Sequence, residues 1–408
     1  MNAGRPASWR TVAVLAAVAV APLVVSAVAI GIRRPDIAWT GDRALTELAV
    51  RQAAGFHQLL GIGGRFGWRH PGPIWMYLLL PVYELGGRAP WSLAVGAIAL
   101  HVCFAVIAIA AAGWAGGRRA AAVLAALTAW YLAATGLRYW TNLWAGYAFT
   151  WPVLALVVLG AVAGSSAEAG WALPAAALVG TFLVQTDVSS IVVVGAVGLT
   201  ATGLRLGRAG PRALLGDRDR RLTPAALGLS LLVVAAWVPP LVEQVRSNPG
   251  NLTLLARFGS HPSSGHPLRT SMAATGAALS VLPLGARWVL RNGVELRLGA
   301  GPGWAVGLTA AYLAVTAAAT VLAWRRGRRL AGDLALVSFV AIVAAVVAMS
   351  RVTGPISFYL LTWITILPVP ALTSVALAAA PPPAPVKRAA PDPPAAPHPL
   401  AGPGPLVS

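Results

Sequence analysis

Asp42 and Glu47 stand five residues apart in Thr40–Leu80, the one long polar stretch between the first apolar run and the rest of the chain. With only 12 acidic side chains in 408 residues, that pair is conspicuous. Asp42 follows Gly41 where a helix can begin, so the helix dipole favours its ionised form and suits it to act as general base toward an acceptor hydroxyl. The structural alternative is plain capping of that helix by Thr40 or Asp42. Glu47 points about 140° away around the same helix. It reads as a supporting carboxylate, a metal ligand or part of a solvated face.

The second half of the stretch carries Arg65, Trp68, Arg69 and His70, followed by a Pro71-Gly72-Pro73 turn. Arginine offers a fork suited to phosphate oxygens, so this group could hold an anion. Snorkelling to lipid phosphates is the competing reading. Asp187, in VQTDVSS, reads as functional or as the partner of an arginine, and Glu243 lies in WVPPLVEQVRSNPGNLTLLARF. Arg351 sits beside a Gly354-Pro355 break at the edge of an apolar span, where an arginine is costly unless a phosphate or carboxylate pairs with it. The candidate catalytic residues are therefore Asp42 and Glu47. The candidate substrate contacts are Arg65, Trp68, Arg69, His70, Asp187, Glu243 and Arg351. No His/Cys/Asp spacing makes a zinc signature, and there is no phosphate loop or serine elbow. No metal or other cofactor is called for, with a divalent ion at the carboxylates left open.

Composition sets the class. Hydrophobic residues make up 57% of the chain and charged residues 11%, and the mean hydropathy is +0.72, all outside the range of a soluble domain. Repeated apolar runs of about 17–23 residues predict an all-α polytopic membrane protein. The net charge of +19 comes from arginines in short loops between apolar runs, as the positive-inside bias requires. No basic block interleaved with aromatics points to nucleic acid. Cys103 is the single cysteine and reads as a buried structural residue.

In chain order, an uncleaved first span over residues 11–32 puts the N-terminus in the cytoplasm and residues 33–90 outside. Ala27-Val28-Ala29 resembles a signal-peptidase site, but the run is longer than the about 7–15 residues of a signal peptide. The outer loop is expected to hold an amphipathic helix from Asp42 to Leu60 and an interfacial helix over Ile74–Leu85, with Trp75, Tyr77 and Tyr83 at the interface. Spans follow near 91–114, 120–135, 147–163, 171–185, 188–204, 224–240, 303–323, 334–349 and 356–379, about ten in all. Residues 205–223 are the strongest cytoplasmic anchor, and parity makes 272–290 a non-crossing or re-entrant segment. Residues 1–379 thus form one transmembrane unit with outer loops at 33–90 and 241–302. Residues 380–408 form a Pro/Ala-rich disordered tail in the cytoplasm. The carboxylates Asp36, Asp42, Glu47, Glu84, Asp187, Glu243 and Glu295 collect at the outer rim, while the spans hold essentially none. An ion-driven transporter needs such groups or broken helices near the midplane.

GDRALTEL, RFGWRHPGPIWMYLLLPVY, LVQTD, WVPPLVEQ with NPGNL, and SRVTGPISFY occur in that order from about residue 40 to 365. Together they resemble the multi-spanning actinobacterial membrane proteins related to GT-C glycosyltransferases. The resemblance implies transfer of a sugar from a polyprenyl-phosphate donor to an envelope glycan, lipid or protein acceptor at the outer face of the cytoplasmic membrane. It makes Asp42 the acidic residue of the first outer loop, with Glu47 its companion. It puts Arg65 and His70 close to the donor phosphate, with Arg351 a second contact. Similar proteins often read Gln-Thr-His where this chain has Gln185-Thr186-Asp187. The chain also lacks a sizeable C-terminal outer domain, the usual place for acceptor recognition. The reading from a different class is a lipid or polyprenyl-phosphate translocator, or a catalytically silent scaffold.

Overall fold

A buried helix must be apolar on every side, and the stretch that meets this most fully is Thr150–Ser165. In the computed structural model, residues 7–64, 66–135, 140–143, 145–211, 214, 216, 223–260, 265–284 and 303–381 are described. Among them the regular structure is helical apart from one isolated bridge between Gly63 and Arg69. The helices are α1 (Trp9–Arg33), α2 (Asp42–Ala54), α3 (Ile74–Leu85), α4 (Pro90–Thr135), α5 (Ala145–Ala148), α6 (Thr150–Ser165), α7 (Ala172–Thr186) and α8 (Ile191–Ala209). They continue with α9 (Pro224–Arg246), α10 (Asn251–Ser260), α11 (Leu268–Leu279), α12 (Val281–Leu284), α13 (Gly303–Arg325), α14 (Arg329–Ser350) and α15 (Pro368–Ala379). Seven are long and apolar enough to cross a membrane, counting the turns that lead into α8 and α15. The chain is therefore an integral, multi-spanning helical membrane protein.

The expected segments are present, with differences that have local causes. Two expected spans form the single 46-residue element α4, broken at Gly117 (φ 70°, ψ −168°). That left-handed φ suits glycine. A Cβ built on Gly113 would stand 3.2 Å from that of Ala121, where eight residues of straight helix would span about 12 Å. The two arms therefore fold back on each other. α6 and α7, at 16 and 15 residues, are shorter than the about 20 a span needs. α6 is nevertheless buried from Thr150 to Gly164, enclosed by α4, α7, α8, α14 and the 362–366 turn. It is the axis of the bundle rather than a lipid-facing span.

Four further expectations are corrected. The span expected over 356–379 starts as 3₁₀ turns, Phe358–Leu360 and Thr362–Ile366, and becomes α-helical only at Pro368. Proline is preset for the first helical position but cannot continue a helix behind it. Cys103 is exposed on α4 instead of buried, because an apolar run does not show which side faces lipid. Trp75 and Tyr83 are fully buried instead of interfacial, and Tyr77 donates to the Gln58 carbonyl at 3.1 Å. The interior also holds a carboxylate, Asp333, with no exposure. Over 272–290, α11 and α12 pack against each other, and α11 lies against α13 and α14. Residues 285–302, including Glu295, and the tail from 382 lie outside the described residues.

One end of the bundle is closed by arginines that finish helices. Arg205, 1% exposed, donates to the Ala163 and Ser166 carbonyls at 3.1 Å and to Gly216 at 2.7 Å. Arg208 donates to the Gly164 carbonyl at 2.8 Å and forks onto both oxygens of Asp333. Trp324 gives Asp333 a further N–H at 3.0 Å. Arg326 and Arg328 cap the Leu377 and Ala378 carbonyls in the same way. Each arginine satisfies carbonyls that have no helical partner and opposes the negative end of a helix dipole.

Arg208→Met should strand the buried Asp333 carboxylate and cost about 3–5 kcal/mol. Pairing it with Asp333→Leu should recover most of that loss. Thermal unfolding in detergent checks both, and a double variant no more stable than the single would contradict the assignment.

Candidate functional site

The other end of the bundle is built from the polar loops, and its frame is the hairpin around the RFGWRHPGP stretch. Gly61 N–H bonds the His70 carbonyl at 2.9 Å, His70 N–H the Ile62 carbonyl at 3.0 Å and Gly64 N–H the Trp68 carbonyl at 2.7 Å. Asn251 holds the outer strand by using its side chain as a substitute peptide group. Its Oδ1 accepts from Arg69 N–H at 2.8 Å and its Nδ2 donates to the Arg69 carbonyl at 2.9 Å. Arg69 thus contributes its backbone to the joint and leaves its side chain exposed.

Asn251 is in turn fixed by the end of α9. Glu243 accepts from Asn251 N–H at 3.0 Å, and Gln244 Oε1 accepts from Leu252 and Thr253 at 2.8 and 3.2 Å. These two side chains cap the N-terminal N–H groups of α10. Glu243, a candidate substrate contact, is occupied in this cap. The partner of the adjoining turn is Gln185, whose Nε2 donates to the Ala236 carbonyl at 2.7 Å. That carbonyl would ordinarily bond residue 240, but Pro240 has no N–H. A Cβ on Gly72 would come within 2.2 Å of Gln185 Oε1, so only glycine fits there.

His70 and Asp187 meet at this junction. His70 Nδ1 accepts from Val188 N–H at 3.2 Å, which puts the proton of the neutral ring on Nε2 and leaves that edge a donor. Asp187 Oδ1 lies 4.0 Å from His70 Nδ1 and caps the following turn through Ser189 N–H at 2.9 Å. Asp187 is thus held by a backbone N–H and lies beside the unprotonated Nδ1 of His70 without a bond to it, where an arginine was one expectation. Trp68 packs edge-on to His70 at 5.7 Å and against Phe258 at 5.4 Å.

α2 carries the two candidate catalytic carboxylates in different states. It begins at Asp42 and ends at Ala54, short of the expected Leu60, because the chain turns at Gly55 and Phe56 takes φ 58°. The cap residue is Gly41, with no side-chain cap bond, so neither Thr40 nor Asp42 caps the helix. The Asp42 carboxylate is exposed and without a bonded partner among the described residues. Glu47 is not a solvated side chain: its Oε1 accepts from Arg51 at 2.7 Å and from the buried Tyr83 hydroxyl at 2.9 Å. Arg51 also donates to Tyr83 at 2.8 Å, and the Tyr83 hydroxyl and Glu47 carboxylate hold its guanidinium above the ordinary range. Burial pushes the Tyr147 phenol up while the Arg43 guanidinium works against it, so α2 begins close to the loop that follows α4.

Arg65 lies outside the described residues. Arg351 is exposed at the end of α14, its N–H on the Ala348 carbonyl at 3.2 Å. Among the described residues, no three His, Cys, Asp or Glu side chains gather in a metal-binding group. Asn251, Gln185, Arg51 and Tyr83 position the site, and none of them is among the candidate catalytic or substrate-contact residues. Only the Pro239-Pro240 pair signalled that a carbonyl would need a side-chain donor. No protein-family model, curated protein or solved structure matches the chain.

Asn251→Leu should free the 61–70 hairpin at a cost of about 1–3 kcal/mol. Hydrogen exchange should then rise at Gly61, Gly64 and His70 and stay unchanged in α6, whereas an unaltered hairpin would contradict the clamp.

Proposed function

We propose that this protein is an integral-membrane glycosyltransferase of GT-C type. It moves a sugar from a polyprenyl-phosphate donor to an acceptor hydroxyl at the outer face of the cytoplasmic membrane. The observation that carries the reading is an asymmetry between the two ends of the bundle. One presents an exposed Asp42 carboxylate, unpaired among the described residues, and a His70 ring with a donor edge. The other is sealed by Arg208 on the buried Asp333.

In this reading Asp42 takes the proton of the acceptor hydroxyl as its oxygen attacks the anomeric carbon. The bond from that carbon to the lipid-phosphate oxygen breaks, and the phosphate leaves with the electron pair. His70, through Nε2–H, and Arg69 and Arg351 of the same end stabilise the charge that develops on it, with Arg65 in the phosphate-contact role that the resemblance implies. Glu47 fixes the α2–α3 junction through Arg51 and Tyr83. The ion-paired arginine at the far end favours transfer at one face over passage of lipid from one leaflet to the other.

Purified protein in lipid, offered a panel of radiolabelled polyprenyl-phosphate sugars with envelope acceptors, should consume one of them. Asp42→Asn should lower turnover by about 10²–10⁴-fold and leave abundance and melting temperature intact. Donor binding without turnover in either protein would favour a translocator or a silent scaffold. Equal loss of abundance and turnover would return Asp42 to a structural role.

A further inference from the structure

A histidine inside an apolar span has two ring nitrogens that the hydrocarbon cannot satisfy. His101, on the first arm of α4, is completely buried, and neither Nδ1 nor Nε2 has a hydrogen-bond partner. Its ring stands edge-on to Trp140 at 5.7 Å. Trp140 lies 5.2 Å from Trp151 and 5.7 Å from Tyr131, and Tyr131 lies 5.6 Å from Trp151. The Trp151 Nε1–H is also buried without a partner.

The hydroxyls of Thr128, one turn before Tyr131, and Thr150, next to Trp151, share that condition. Elsewhere in the spans buried threonines bond back to their own helix, as Thr186, Thr316 and Thr320 do at 2.7–2.9 Å. The Thr275 and Ser338 hydroxyls are unmet as well, but around this group of rings His101, Thr128, Thr150 and Trp151 share the condition. Leaving a buried donor or acceptor unmet costs about 1–3 kcal/mol each, and several in one place would cost a large part of a domain's stability.

We propose that the interior around His101, Trp140 and Trp151 is a site for ordered water. His101 offers an acceptor nitrogen on one edge of its ring and a donor on another, and Trp151, Thr128 and Thr150 add further polar groups, enough for the 2–4 partners a buried water takes at more than one position. The site is independent of the transferase reading, since that reading gives none of its residues a role.

Radiolytic footprinting of the full-length protein in nanodiscs, run in ¹⁸O-labelled water, tests this directly. Buried side chains take up ¹⁸O only where bound water meets them. Trp75 is the internal control, as it is equally buried and its Nε1 is bonded to the Leu143 carbonyl at 3.3 Å. Trp140 and Trp151 should label severalfold faster than Trp75. His101→Leu should bring both down toward the Trp75 rate with no loss of folded protein. Labelling of Trp140 and Trp151 at or below the Trp75 rate in the unaltered protein would overturn the site, and that comparison stands even if the variant fails to fold. Fast labelling unchanged in a folded His101→Leu would overturn the role of the histidine.

Discussion

The arrangement depends on how a helix buried on every side ends. α6 has no solvent face, so its last carbonyls cannot turn to water and must be met by protein groups. Arg205 and Arg208 reach across from α8 to meet them, and Asp333 neutralises one of the two charges from α14. Two helices that pack around α6 are thereby joined to its end at a single point. The arginines that give this end its charge are helix-finishing donors as much as topological signals.

The opposite end solves a related problem with amides. Two prolines in α9 withdraw N–H groups, and Gln185 supplies one to the carbonyl they leave. Asn251 stands in for a strand beside Arg69, and Glu243 and Gln244 finish α10. Loops distant in sequence are locked by side chains that imitate backbone. His70 and Asp187 owe their positions to this scaffold. Rigid support of that kind is what a site for positioned chemistry requires.

Much of the helical plan is legible in residue type alone, because apolar run length and loop arginines report directly on burial in hydrocarbon. Hence α1, α9, α13 and α14 coincide closely with their apolar runs. What residue type does not report is which side of a helix turns inward. Trp75 and Tyr83 face the core, Cys103 faces outward, and Leu45 and Leu48 are exposed while Thr46, Ala49, Val50 and Ala53 form the buried stripe of α2. Pairings across long sequence separations are equally hidden. Nothing local ties Asn251 to Arg69 or Asp333 to Arg208, and the state of Glu47 follows from Tyr83, 36 residues away. The spacing of Asp42 and Glu47 draws attention to both, yet only tertiary contacts separate the free carboxylate from the tied one.

Chemistry at the outer face requires the Asp42 end to lie on the outer side of the membrane. In a Cys103→Ser background, Thr40→Cys and Arg325→Cys place single thiols on exposed positions at the two ends. A membrane-impermeant maleimide applied to intact cells should label the first at once and the second only after permeabilisation. The reverse pattern would put the free carboxylate in the cytoplasm and contradict chemistry at the outer face.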